Sequence, residues 1–377
     1  MEDREPPPLS PDTHAAATAV ARDVEVHRLA VADQQPLIAR EVGARVGQVW
    51  LRTSRFAAVE AMATATLTLG PDANALYQRG SARSSTGRPW LALDDYQQAL
   101  TMYQHAGDRG NEAATLASIG HVYDGLGDRQ QALDHYHQAL PIHREVGDRV
   151  NEATTLNSIG SVYDGLGDRQ RALEYFQQAL PIRREFGDRV GEAANLNSIG
   201  LAYHGSGDRQ RALDHYQQAL PIRREVGDRA GEATTLNNIG GVYSGLGERR
   251  RALEYFQQAL PIRREVGDRA GEGVTLTNIG HLYQGLGHRQ QALDHYHQAL
   301  TIQREVGDRA SEATTRYNIA MIHQAAGELD PAIRELEHVV DLDRQVDDPR
   351  LKADTFLLEE LRRHRVRAGG TELPSGP

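Results

Sequence analysis

Asparagine recurs at forty-residue intervals, at Asn157, Asn197 and Asn237, and the same position then carries Thr277 and Tyr317. The position after it carries Asn238, Asn278 and Asn318. A carboxamide presents a donor and an acceptor together, so a row of them can pair with the backbone of an extended peptide whatever its sequence. Each contact would contribute about 0.5–1.5 kcal/mol net, so binding would need several at once. The same side chains could instead bond helix carbonyls or the adjacent copy, and the sequence leaves both readings open. Other chemistry is thin. His135 with His137, and His295 with His297, are two residues apart and diverge on a helix, where a metal site prefers an i, i+4 pair. Cysteine is absent, which excludes disulfides, thiolate zinc sites and a cysteine nucleophile. With no nucleophile-base-acid set and no phosphate loop in the sequence, no catalytic residue, metal site or cofactor is expected.

The elements that must position the asparagines repeat with them. Gly-Asp-Arg falls at Gly107, Gly147, Gly187, Gly227, Gly267 and Gly307. A period of this size signals stacked supersecondary units, each burying its apolar face only against its neighbours. In the copy 147–186, Leu156, Ile159, Gly160 and Tyr163 form one stripe, predicting a first helix over about 150–165. Gly160 costs about 1 kcal/mol of helix propensity relative to alanine, which implies close approach of a second helix. Gly167 should end the first helix as a left-handed cap and Asp168 should start the next as its N-cap. One copy earlier, Asp128 with Gln131 fits a capping box. Ala172, Phe176, Ala179 and Leu180 then make the apolar face of the second helix. Pro141, Pro181, Pro221 and Pro261 fall inside that helix, where each removes a backbone hydrogen bond and should bend it outward; Thr101 and Thr301 stand there in other copies.

Leu-x2-Ile-Gly-x2-Tyr, then Ala nine residues on and Phe or Tyr four further, resembles the tetratricopeptide signature in copy after copy. It is similar to the long repeats of the LGN/Pins group, of kinesin light chains and of arrays attached to bacterial NB-ARC and CHAT proteins, over residues 71–346. The resemblance implies an all-α fold, a right-handed superhelix (α-solenoid) of about seven helix-turn-helix repeats with helical caps. It also implies which first-helix residues face a concave groove. There the framework is copied while the groove is edited: one position reads His121, Ser161, Leu201, Gly241, His281 and Met321, and another reads Asp124, Asp164, His204, Ser244, Gln284 and Gln324. The candidate peptide groove therefore comprises Asn157, Ser161, Asp164, Asn197, Leu201, His204, Asn237, Asn238, Ser244, Thr277, Asn278, His281, Gln284, Tyr317 and Asn318. Members that bind chaperone tails hold a terminal carboxylate with basic groove residues, which copies 107–346 lack. Arg183-Arg184, Arg223-Arg224 and Arg263-Arg264 could form a basic ridge, but Glu185, Glu225 and Glu265 with Asp188, Asp228 and Asp268 are expected to neutralise them in inter-repeat ion pairs.

Along the chain, 1–12 is expected to be disordered and 13–70 to form an irregular helical cap, with Ala39 to Gly47 echoing the end of a repeat. A first copy at 71–106 keeps Gly80, Ala92, Tyr96 and Ala99 but carries Arg79 and Arg83 for Ile and Tyr. In the last copy Ala320 replaces the core glycine, and Asp330-Pro331 should cap and open its second helix. Residues 347–367 should form a capping helix opened by Asp348-Pro349, with Phe356, Leu357 and Leu361 over the last core, and 368–377 should fray.

The formal charge is −10 and Lys352 is the only lysine, so no basic stripe suits nucleic acid. No apolar run is long enough to span a membrane, and the polar, proline-rich residues 1–11 do not read as a secretory signal. A soluble, cytoplasmic, non-enzymatic scaffold holding a peptide or partner segment is the leading expectation. The alternative is a sensor or regulatory arm acting on a separate or lost effector of NB-ARC, CHAT or transcription-regulator type. The partner, its direction and the oligomeric state are open.

Overall fold

The computed structural model describes residues 11–369, with side chains from 18 to 367. The two ends expected to be unstructured lie outside the described residues, except that Pro11 begins the first helix and Gly369 ends the last. Eighteen α-helices and no strand occur among the described residues. They fall into two compact units, Met1–Phe186 and Gly187–Pro377.

The first unit contains α1 (Pro11–Ala32), α2 (Pro36–Arg52), α3 (Phe56–Leu67), α4 (Ala73–Ser85), α5 (Pro89–Ala106), α6 (Arg109–Gly125), α7 (Arg129–Val146), α8 (Arg149–Gly165) and α9 (Arg169–Glu185). The second contains α10 (Arg189–Gly205), α11 (Arg209–Glu225), α12 (Arg229–Gly245), α13 (Arg249–Glu265), α14 (Arg269–Gly285), α15 (Arg289–Val306), α16 (Arg309–Ala325), α17 (Leu329–Val346) and α18 (Leu351–Gly369). From α4 to α17 the helices pack as antiparallel pairs.

Each hairpin follows from its punctuation. Gly167 takes φ +82°, a backbone state that carries little penalty only without a Cβ, and the Asp168 carboxylate accepts from the Arg171 amide. Asp128 likewise accepts from the Gln131 amide at 3.1 Å. Within the pair, a Cβ added at Gly160 would lie 2.6 Å from the Phe176 ring, and one at Gly200 2.6 Å from Tyr216, so the glycine is the socket for the ring opposite. Within each unit a first helix also packs on the second helix before it, as α6 does on α5, α8 on α7, and α12, α14 and α16 on α11, α13 and α15. Leu156 and Ile159 share one core with Leu133, Tyr136 and Leu140 of α7 and with Ala179 and Ile182 of α9.

Four features differ from the sequence expectation. The prolines leave their helices continuous: Pro141, Pro181, Pro221 and Pro261 sit on the exposed side, where water can serve the carbonyl deprived of its amide. The echo at 39–47 is not a repeat junction, because Gly43 lies inside α2 and is buried. Ala44 stands where the copies have the capping aspartate, so nothing stops the helix there. The N-cap of α17 is Glu328, in phase with Asp128 and Asp168, while Asp330 falls in its first turn. Phe356 is 62 % exposed, and the residues of α18 that close the last core are Leu358 and Leu361, with Leu357 at its edge.

Candidate peptide-binding face

Within each unit the first helices touch from copy to copy: α4 with α6 and α6 with α8 in the first unit, α10 with α12, α12 with α14 and α14 with α16 in the second. The polar positions singled out in the sequence lie on these helices. Asn157, Ser161 and Asp164 are on α8 of the first unit, and Asn157 and Asp164 are half-buried while Ser161 is exposed. The others lie in the second unit, where Leu201 and His281 are exposed and His204, Ser244, Gln284, Tyr317 and Asn318 are half-buried. Burial lowers the pKa of His204, and Arg209 beside it adds to that, so its imidazole is neutral at pH 7. Tyr317 packs against the apolar cluster of Ala320, Leu336 and Leu361, and Gln284 accepts from the Tyr296 hydroxyl at 3.0 Å.

The asparagines bond one another across copies. Asn238 Nδ2 donates to Asn197 Oδ1 at 3.1 Å, and Asn278 Nδ2 reaches Asn237 Oδ1 at 3.4 Å. Asn237 Oδ1 also accepts from the Thr275 hydroxyl at 3.2 Å. Thr277 Oγ1 lies 3.1 Å from Thr315 Oγ1 and accepts from Gln303 Nε2 at 3.2 Å. The adjacent-copy reading therefore holds for these bonds. They engage the carbonyl oxygens of Asn197 and Asn237 through the amide nitrogens of Asn238 and Asn278.

Two further sets of residues on the hairpins were not recognised as sets in the sequence, although Arg183, Arg223 and Arg263 of the second were noted there as part of an Arg-Arg ridge. One is a glutamate in the first turn of the first helices α6, α8, α10, α12, α14 and α16. Glu152, Glu192, Glu232 and Glu272 are buried, and Glu232 accepts from Arg224 Nε at 2.7 Å and from Arg229. Arg229 also reaches Glu265, at the end of the second helix of its own hairpin, at 2.7 Å, and Arg269 repeats this with Glu272 and Glu305. The Arg-Arg ridges are thus divided: Arg224 and Arg264 go to the buried glutamates, Arg223 and Arg263 to Asp228 and Asp268, and Glu265 serves Arg229. The other set lies near the end of the second helices, at Tyr103, His143, Arg183, Arg223, Arg263, Gln303 and Asp343. It is polar in every copy and buried at five of these seven positions. Its signal was a residue that changes type inside an otherwise copied stretch, the same signal that marked the first-helix positions.

Among the described residues no group of three or more His, Cys, Asp or Glu could hold a metal ion, and no helix is long and apolar enough to cross a membrane. No curated protein matches the sequence significantly. Solved structures do. A signal transduction ATPase with numerous domains (STAND) and a tetratricopeptide repeat sensor, from Pyrococcus horikoshii, superposes with TM-score 0.67 at 15% identity over 86% of this chain and 50% of that one. This chain therefore spans about half the length of that protein. The apo quorum sensor NprR from B. thuringiensis gives 0.66 at 16% identity, covering 87% of this chain and 99% of that one. A Rap protein complexed with Competence and Sporulation Factor gives 0.58 at 16% identity, with the same coverage of 87% and 99%. At such identities the likeness is one of fold. The tetratricopeptide repeat model matches residues 71–145, 111–185, 187–265 and 271–345. With its paired helices, glycine sockets and repeated caps, the chain belongs to the tetratricopeptide repeat family.

Proposed function

We propose that the chain is a cytoplasmic, non-enzymatic interaction scaffold that holds a peptide or extended partner segment along the first-helix faces of its hairpins. The observation that carries this reading is the contrast between a copied framework and an edited face. Core residues recur almost unchanged, whereas the half-buried and exposed positions at Ser161, Leu201, His281 and Met321 differ in every chemical respect. The asparagine bonds add to it, since carboxamides fixed by a neighbour have lost their rotamer freedom before any ligand arrives. A Rap protein of this fold is complexed with Competence and Sporulation Factor, which makes a bound factor a natural expectation for a chain of similar length.

The test is capture of a partner from native lysate by the wild type and by the Asn197→Ala, Asn237→Ala protein side by side. The double variant should lose the captured partner, while the outer-face control Gln217→Ala, Gln218→Ala keeps it. Normal capture by the asparagine variant would remove the proposal. A second reading, a sensor arm serving an effector on another polypeptide, is favoured by the STAND structure, in which a tetratricopeptide sensor accompanies an ATPase.

A further inference from the structure

The variable position of the second helices has a counterpart eight residues on, near the start of the next first helix. Arg183, Arg223 and Arg263 are followed there by Gly191, Gly231 and Gly271, whereas His143 is followed by Asn151 and Gln303 by Ser311. The reason is steric in the second unit. A Cβ on Gly231 or Gly271 would collide with the guanidinium of Arg223 or Arg263, each of which is ion-paired to the capping aspartate, Asp228 or Asp268. The arginine fills the notch between successive hairpins.

At His143, in the first unit, the shorter side chain leaves the notch open. A cavity of about 330 Å³ lies there, bounded by Tyr77, Tyr96, Tyr136, His121 and Ser158 and floored by His143. The His143 side chain is 1 % exposed, and neither ring nitrogen has a hydrogen-bond partner. The Asp148 carboxylate stands 3.8 Å from Nδ1, beyond hydrogen-bond reach, and Asn151 Nδ2 donates to that same carboxylate at 2.7 Å. The tyrosine hydroxyls are engaged: Tyr96 donates to Ser81 at 3.0 Å, Tyr77 lies 3.2 Å from Ser118 Oγ, and Tyr136 bonds Ser158. The imidazole alone keeps one donor and one acceptor unspent in a buried place, which ordinarily carries a desolvation cost. Burial also keeps it neutral, against the weaker pull of Asp148 and Glu152. No arginine or lysine lines the cavity, so an anion would find no counter-charge.

We propose that this notch is a side-chain pocket for an uncharged, hydroxyl-bearing aromatic group, the side chain of a tyrosine in the bound segment, with its hydroxyl on the His143 imidazole and its ring among the tyrosines. The source of that group rests on the peptide-binding reading, and its chemistry rests on the cavity.

The probe is p-cresol, titrated into the full chain and followed by the His143 ring signals in NMR and by calorimetry. It should saturate those signals, with toluene, which lacks the hydroxyl, binding about tenfold more weakly and benzoate more weakly still. His143→Arg with Asn151→Gly copies the filled notch of Arg223 and Gly231 and should abolish p-cresol binding. His143→Leu keeps space and removes the nitrogens, so p-cresol and toluene should bind it equally. Equal affinities in the wild type, undiminished p-cresol binding to the filled variant, or tighter binding of benzoate would overturn the pocket. Because the probe needs no partner, the two proposals fail separately. Normal partner capture by the asparagine variant with p-cresol bound as expected removes the groove reading and keeps the pocket, and the converse pair of results removes the pocket and keeps the groove.

Discussion

In the hairpin α6–α7 Tyr123 stacks on His135 with ring centroids 5.4 Å apart, and in α8–α9 Tyr163 stacks on Tyr175 at 5.6 Å and 13°. In α4–α5 the same two positions are Arg83 and Asp95, joined by an ion pair at 2.9 Å. Asp95 is fully buried and receives Arg79 as well, at 2.6 Å, where the other copies have isoleucine. Arg83 goes on to Glu60 of α3 at 3.0 Å, and Glu60 also holds Arg88 at 2.5 Å. The aromatic pair belongs inside a hairpin that meets another like itself, so one solution can be copied. The first hairpin meets α3, which follows no repeat, and directional charges fix that single neighbour. Buried ion pairs are poor sources of net stability but demand a particular geometry.

The largest effect that would break this contrast is loss of the shared carboxylate. Asp95→Ala leaves two arginines mostly buried beside a void and should destabilise the α3–α5 region by about 3–5 kcal/mol. Amide hydrogen exchange should quicken in α3, α4 and α5 and stay unchanged in α8 and α9. Converting the first hairpin toward the copies, with Arg79→Ile, Arg83→Tyr and Asp95→His together, should recover much of the loss. No recovery would show that the charges do more than replace the aromatic pair.

The next largest effect attacks the copied solution. Gly200→Leu puts a side chain where a Cβ alone would stand 2.6 Å from Tyr216, and overpacking of this kind should cost about 3 kcal/mol. Its exchange signature should lie in α10 and α11. A variant as protected there as the wild type would mean that the glycine is not a socket.

The copied solution was legible in the sequence because every part of it is local and recurs. Gly160 and Gly167 each state a backbone requirement that recurs in six copies or more, and the cap at Asp168 recurs at Asp128 and Asp208, which separates the pattern from chance. The uncopied parts were harder to read. Gly43 looks like a junction until Ala44 is seen to lack the capping oxygen, and Phe356 looks like core until the phase of Leu358 and Leu361 on α18 excludes it. Glu232 was hidden because a glutamate in a first turn ordinarily serves the helix dipole, and only packing shows it buried beneath Arg224. The residue at 143 escaped for a related reason. Its counterparts at 183, 223 and 263 belong to an Arg-Arg pair that reads as a solvated ridge, although one arginine of each pair turns inward.

The last hairpin sharpens the comparison, since it too meets a helix outside the repeats through a buried charge, but without an inward arginine like that of Asp95. Burial of Asp343, with Asp354 of α18 beside it, pushes its pKa from 3.8 up to about 6. A carboxyl whose folded pKa is raised favours the folded state fully below its unfolded value and loses that contribution as pH climbs to the folded one. Docking of α18 should therefore weaken between pH 3.8 and about 6 and stay weakened above. Asp343→Asn should flatten this dependence and raise stability at pH 7 by about 2–3 kcal/mol, the equivalent of the shift. Exchange rates in α18 as a function of pH measure both, and a wild type that tightens on going from pH 4 to 7 would contradict the assignment.

The smallest effect concerns the aromatic pair itself. In the second unit Tyr243 and Tyr255 stack at 5.5 Å and 16°, and the Arg251 guanidinium covers the Tyr243 ring at 5.6 Å. A double-mutant cycle with Tyr243→Leu and Tyr255→Leu should give a coupling of about 0.5–1.5 kcal/mol beyond the area each ring buries. The magnitude matters to the argument about copying. A contact worth this little can vary between tyrosine and histidine, as it does at 175, 215, 255 and 295, without endangering any hairpin. A coupling as large as the effect of Asp95→Ala would mean that the copies are held by the same all-or-none chemistry as the first hairpin, and the distinction between the two regions would dissolve.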